Sequence, residues 1–280
     1  MYSAEIQPYL EKYYETFGKG KIKDLIQHAT DGGKCVRGFI VKHIIETLTN
    51  KEGDDIPWQP IVSVELIHSA SIVIDDLPCM DNDTYRRGKL STFKQFGNNE
   101  AILSSYYMIS ETLRIIVDGL DNNGNLNSMK KLMNEWCELL GKNLVIGQFL
   151  DLKGDAESYF NVKISKNDSI NDYIIKYKTC SLFSFSFLMG AFFSNKTDDE
   201  TIEDFKEMGL HFGMMFQLMD DYRDKNTDVP YANYVLTKGL AKSVEKYKES
   251  RDIFITLLQK HNLFTNKFET LIKNIDKLFV

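Results

Sequence analysis

Apolar residues recur along this chain at three- and four-residue intervals, the period of amphipathic helices. The pattern predicts helices at about 4–17, 20–29, 35–49, 58–77, 98–119, 126–153, 169–194, 199–226, 238–260 and 263–279. No run of alternating polar and apolar residues competes with them as a strand. Two stretches are apolar on nearly every side, Ile67 to Ile74 and Leu182 to Phe193, and both read as buried helix. Within the second, Leu182, Phe185, Met189 and Phe193 form a stripe whose plainer reading is core packing, with the wall of an apolar ligand site as the alternative. Asp121-Asn122-Asn123-Gly124-Asn125 is a loop signal. With no internal repeat and no low-complexity linker, a single all-α domain spanning 1–280 is expected.

Composition narrows the class. Only 5 prolines and 17 glycines in 280 residues leave room for long helices. With 43% hydrophobic and 26% charged residues the chain has the make-up of a water-exposed globular protein. A net charge of −6 argues against nucleic acid as a partner, because phosphate backbones need a basic face. Cys35, Cys79, Cys137 and Cys180 lack metal-type spacing, which favours free thiols in a reducing compartment. Met1-Tyr2-Ser3-Ala4-Glu5 opens without a basic segment leading into an apolar one, and the longest apolar run is too short to span a bilayer. A cytoplasmic chain with no transmembrane segment is expected.

The chemistry concentrates in Asp75-Asp76-Leu77-Pro78-Cys79-Met80-Asp81-Asn82-Asp83-Thr84-Tyr85-Arg86-Arg87-Gly88-Lys89. Carboxylates crowded at the end of a buried helix repel one another, by about 4 kcal/mol for a pair about 4 Å apart at an effective dielectric of about 20. A hard divalent cation such as Mg²⁺ would relieve them. The two arginines that follow suit phosphate oxygens. A solvated acidic loop with a basic tail is the plainer alternative. Asp75 and Asp81, six residues apart, would point about 240° apart on a continuous helix. Pro78 disfavours that continuation, so a break that re-aims Asp81 is predicted.

Other charged and polar residues fall at suggestive spacings. Gly32-Gly33-Lys34-Cys35-Val36-Arg37-Gly38 places a glycine pair before a helix and puts Lys34 and Arg37 on one face, which suits an anion or a simple turn. His68 lies two turns before Asp75 on nearly the same face; a satisfied core histidine would look the same. Downstream, Asp220, Asp221 and Asp224 share one side of a helix after Phe216-Gln217, and acids at a helix end ask for a compensating cation. Gln148 and Asp151, at i and i+3, and Lys178-Thr179 lie between the two acidic sets.

Taken together, residues from about 32 to about 240 resemble the trans-isoprenyl diphosphate synthases, or polyprenyl synthetases. That family carries DDxxxxD followed by RRG, then DDxxD preceded by FQ, and both patterns stand here. The resemblance implies an isoprenoid synthase helix bundle with a central cavity, usually a homodimer. It also implies metal ligation of three Mg²⁺ ions through Asp75, Asp76, Asp81, Asp220, Asp221 and Asp224, with Asp151 supporting. Isopentenyl diphosphate would be held by Lys34, Arg37, His68 and Arg87. Arg86, Gln148, Lys178, Thr179 and Gln217 would serve the allylic partner, a dimethylallyl, geranyl or farnesyl diphosphate. Asp75, Asp76, Lys178 and Asp220 would be the catalytic set.

In the family the residue five before the first aspartate sets product length. Ala70, followed by Ser71, implies an open tunnel and a C20 product, geranylgeranyl diphosphate, with Tyr106 or Tyr107 as a candidate floor. The chain departs from the family pattern at three places. The stretch Ala101-Ile102-Leu103-Ser104-Ser105-Tyr106-Tyr107 lacks the family's Gly-Asp pair, Cys35 and Gly38 stand where Arg and Pro are usual, and the lysine-bearing loop after the second acidic set shortens to Lys225-Asn226-Thr227-Asp228-Val229-Pro230-Tyr231. That shortening keeps open a non-catalytic regulatory subunit or isoprenoid-binding module on the same fold. The intact Lys34, Arg37, His68 and Arg87 set argues against a cyclase, which needs no isopentenyl site.

Overall fold

In the computed structural model, which describes residues 2–18, 20–121, 126–155, 157–165, 169–226 and 233–279, the backbone is almost entirely helical. It groups into two compact units, Met1–Met129 and Lys130–Val280.

The first unit holds α1 (Ser3–Glu15), α2 (Lys21–Thr30), α3 (Val36–Thr49), α4 (Trp58–Asp75), a hairpin of β1 (Tyr85–Arg86) and β2 (Lys89–Leu90), α5 (Thr92–Phe96) and α6 (Asn98–Asp121). Its axis is α4. Ile61, Val62, Leu66 and Ala70 are fully inaccessible, and α1, α2, α3 and α6 pack around them. A helix apolar on all sides belongs inside, and burying each Leu or Ile contributes about 1.5–3 kcal/mol. The antiparallel hairpin was not foreseen. Its two-residue turn, Arg87-Gly88, has φ 53° and φ 77°, the left-handed pair of a tight hairpin turn.

The second unit holds most of α7 (Leu126–Trp136), which starts at the end of the first, with α8 (Leu144–Lys153), α9 (Glu157–Phe160), α10 (Ile170–Ile174), α11 (Ser181–Phe193), α12 (Asp199–Asp224), α13 (Tyr234–Lys238), α14 (Leu240–Lys260) and α15 (Asn266–Phe279). Every residue of α11 is buried, so the stripe read from the sequence is one side of a helix enclosed all round. Phe183 and Phe187 meet Phe212 of α12, and Phe187 also meets Phe254 of α14 and Phe268 of α15. The Asp198 carboxylate accepts from the Thr201 amide at 2.9 Å and so caps the start of α12.

The helices expected at 126–153 and 169–194 are present, but each widens into π-helical turns, at Cys137–Asn143 and Ile175–Cys180. The second of these carries Lys178 and Thr179. It lies close against α8 because residue 147 is glycine: a Cβ there would stand 2.4 Å from the Lys178 amide nitrogen. Gly209 allows the same intimacy between α12 and α11, where a Cβ would stand 2.2 Å from the Ser184 Cα.

Candidate active site

Helix α4 stops at Asp75, two residues before the expected end, and the chain turns back on itself around Pro78. The Leu77 carbonyl accepts from the Met80 amide at 2.9 Å and the Asn82 amide at 3.1 Å, while the Asp81 amide reaches the Asp75 carbonyl at 2.9 Å. Two acids that a continuous helix would separate are thus joined through their backbones, as the proline predicted. Asp76 is 2% exposed, Asp75 is half-buried and Asp81 is exposed. Arg86 meets the buried acid from the hairpin, with Nε at 2.9 Å and Nη2 at 2.6 Å from Asp76 Oδ1, and also pairs with Asp83. Burial raises the Asp76 carboxyl above its ordinary range despite Arg86.

The adjacent arginine turns elsewhere. Arg87 Nη1 donates to the carbonyls of Ala29, Thr30 and Asp31 at 3.1, 3.3 and 3.3 Å, at the C-terminal end of α2 where the helix dipole favours a cation. Lys89 pairs with Asp31 at 3.0 Å. On α3, Arg37 is 9% exposed while Lys34, just ahead of the helix, is exposed. His68 is half-buried, and its Nδ1 is enclosed without a hydrogen-bond partner. Burial holds His68 well below its ordinary value, and the positive charges of Arg37, Arg87 and Arg86 reinforce that. The structure therefore brings Arg37, His68 and Arg87 into one electrostatic neighbourhood. Sequence reasoning missed its fourth member, Glu65, whose buried carboxylate accepts from the Gly38 amide at 2.7 Å. Its position one turn before His68 was the available signal.

In the second unit the acids of α12 divide as the first set does. Asp221 is 3% exposed, Asp220 is half-buried and Asp224 is exposed. Asp221 accepts from Gln217 Nε2 at 2.7 Å and from the Tyr234 amide at 2.8 Å, and Gln217 Oε1 accepts from the Thr179 hydroxyl at 2.8 Å. Asp220 pairs with Arg223 at 3.1 Å. Lys178 pairs with Asp151 at 2.6 Å, and Gln148, a turn earlier on α8, keeps a buried amide nitrogen without a partner. Lys225 lies 3.9 Å over the Tyr222 ring, and residues 227–231 of the shortened loop fall outside the described residues.

Among the described residues, no three or more His, Cys, Asp or Glu side chains converge to hold a metal ion unaided. The donors are nonetheless hard carboxylate oxygens in the pattern Mg²⁺ uses, one or two per ion, with phosphate and water oxygens completing the octahedron. Such a set fits a cation that arrives together with a diphosphate.

The family model described as polyprenyl synthetase matches residues 19–273, and the chain belongs to that family of prenyl-transferring enzymes. Over 267 residues it is 32% identical to the farnesyl diphosphate synthase of Buchnera aphidicola, covering 89% of this chain and 85% of that one. It is 32% identical over 197 residues to geranylgeranyl pyrophosphate synthase 6, mitochondrial, of Arabidopsis thaliana, covering 69% of this chain and 56% of that one. It spans 65% of the farnesyl diphosphate synthase of Bacillus subtilis, at 30% identity over 72% of its own length. Several curated relatives are therefore matched over two thirds of their length or less. Among solved structures, the Helicobacter pylori geranyltransferase complexed with magnesium and isoprenyl diphosphate shares the fold, with TM-score 0.76 and 20% identity over 99% of this chain and 96% of that one. No helix among the described residues is long and apolar enough to cross a membrane.

The depressed His68 has a measurable sign. Below about pH 6.5 the unfolded chain takes up a proton that folded His68 refuses, so stability falls with acidification, by at most about 1.4 kcal/mol per pH unit for one proton. His28 and His211, also lowered by burial, add to the same slope. Denaturant midpoints between pH 7.5 and 5.5 are expected to fall less steeply for His68→Gln than for the wild type; equal slopes would refute a neutral His68.

Proposed function

We propose that this chain is an active, Mg²⁺-dependent prenyltransferase that condenses isopentenyl diphosphate with dimethylallyl, geranyl or farnesyl diphosphate and delivers geranylgeranyl diphosphate as its main product. One observation carries this reading. In both acidic sets, one carboxylate is buried and tied to the protein, one is half-buried and one is exposed, the arrangement expected of acids held in place to meet a charged ligand.

In the reaction the allylic C–O bond breaks, its electron pair leaves with diphosphate, and the carbocation is attacked by the double bond of isopentenyl diphosphate. Loss of one proton then gives the longer prenyl diphosphate. Three bound Mg²⁺ ions would neutralise the departing diphosphate. Asp75, Asp76 and Asp81 in one set, and Asp220, Asp221 and Asp224 in the other, would hold them. Asp151, through its pair with Lys178, would support the cationic side. Lys178 and Thr179, presented by the π-turn and fixed by Asp151 and Gln217, would donate to the leaving group, as would Arg86 and Gln148. Lys34, Arg37, His68 and Arg87 would hold isopentenyl diphosphate, with His68 donating as a neutral imidazole. Product length would be set at Ala70, a small side chain fully buried on α4, where a larger one would block the prenyl tail. Tyr106 is 71% exposed, which removes it as a tunnel floor. Leu103, Tyr106 and Val117 instead form an exposed apolar stripe on α6 that would seat a second copy of this chain.

Asp75→Ala and Asp220→Ala are each expected to lower kcat by at least about 10²–10³-fold with the fold retained. The assay is chromatographic product analysis with Mg²⁺, isopentenyl diphosphate and C5, C10 or C15 primers; near-wild-type turnover in either variant would overturn the metal assignment. Ala70→Phe is expected to move the main product from C20 to C15 or shorter in the same assay, and an unchanged chain length would sink the product assignment. Sedimentation velocity is expected to give twice the mass of one chain and Tyr106→Glu the mass of a monomer; a monomeric wild type would exclude the dimer. No condensation with any primer by a folded sample would favour the non-catalytic subunit.

A further inference from the structure

The first turn of α3 lacks a cap of its own. Its N-cap residue, Cys35, sits at φ 52° and supplies no side-chain acceptor to the turn. The acceptor comes from another helix, since Glu65 of α4, 4% exposed, takes the Gly38 N–H at 2.7 Å. Gly38 is the third residue of α3, so its amide is one that the helix cannot satisfy itself, and a carboxylate there also complements the helix dipole. The contact depends on glycine. A Cβ at position 38 would stand 3.1 Å from Glu65 Oε1, and a proline there would have no N–H to give.

Burial raises the Glu65 carboxyl above its ordinary range, and the Gly38 N–H and the positive charges of Arg37, next to Gly38 on α3, and Arg87 of the hairpin turn oppose that rise. A carboxylate taken out of water is costly unless it is paired and hydrogen-bonded, so Glu65 and the first turn of α3 depend on one another. His68 stands one turn along α4 from Glu65, in the field of both arginines.

We propose that Glu65 is a positioning residue of the isopentenyl diphosphate site: by capping α3 from α4 it fixes the placing of Arg37, whose charge acts on His68 together with that of Arg87. The assignment rests on the substrate reading above and adds to it a residue that need not touch the substrate.

The test compares full-length wild type, Glu65→Leu and Glu65→Gln. Isopentenyl diphosphate binding is read by calorimetry without an allylic partner, and KM for each substrate by steady-state assay. Glu65→Leu, which removes the acceptor, is expected to raise the isopentenyl Kd and KM about tenfold, the size of one charge-assisted hydrogen bond, while kcat and the allylic KM change less than about twofold. Glu65→Gln keeps an acceptor for Gly38 and is expected to stay within about threefold of wild type. If Glu65→Leu does not fold, Gly38→Ala, whose methyl group crowds the carboxylate, is expected to give the same selective loss. An unchanged isopentenyl Kd, or a parallel loss in both KM values and kcat that tracks a lower melting temperature, would overturn the role. A wild type that binds isopentenyl diphosphate but turns over no primer would refute the synthase reading alone, because calorimetry still reads the Glu65 comparison. A wild type that binds none overturns both.

Discussion

A carboxylate removed from water must be met by a donor, and three such groups govern how this chain arranges its charges. Asp76 is met by Arg86 from a hairpin, Asp221 by Gln217 and the Tyr234 amide, and Glu65 by the Gly38 amide. Each partner comes from a different segment of chain, or from the next turn of the same helix. Each compensated acid therefore ties the position of a second element to its own.

Several of the site's charged and polar groups stand at the ends of buried helices. Asp75 and Asp76 stand at the end of α4, while Lys178 and Thr179 stand in the turns that lead directly into the fully buried α11. Packing fixes the rods, and the rods aim the charges. Close approaches at Gly147 and Gly209 extend this logic to the backbone, since no side chain intervenes where Lys178 and Ser184 press against neighbouring helices.

Much of this was legible from residue order because helical periodicity is strong and the two acidic sets are dense. The break at Pro78 was also legible, since proline acts locally on the residue before it. What escaped has a common cause: it depends on partners distant in sequence or on small changes in winding. The π-turns at Cys137–Asn143 and Ile175–Cys180 add width to helices whose composition does not mark them. The β1–β2 hairpin is too short to show alternation, and its turn relies on Arg87 adopting a left-handed conformation that glycine or asparagine would advertise better. Glu65 looked like an ordinary charge on a helix until the fold brought Gly38 beside it. The protein partners of the Arg86-Arg87 pair were likewise hidden, since the two side chains diverge to Asp76 and to the end of α2.

The turn between Asp75 and Asp81 closes a ring through the backbone, with the Asp81 amide on the Asp75 carbonyl and two further amides on Leu77. A ring has a circumference. Adding or removing one residue among Leu77, Pro78, Cys79 and Met80 would prevent those hydrogen bonds from closing together, whatever the side chains. The interval between the first and last acids is thus set by loop closure before any ligand is considered, and substitutions in the loop are far better tolerated than changes in its length.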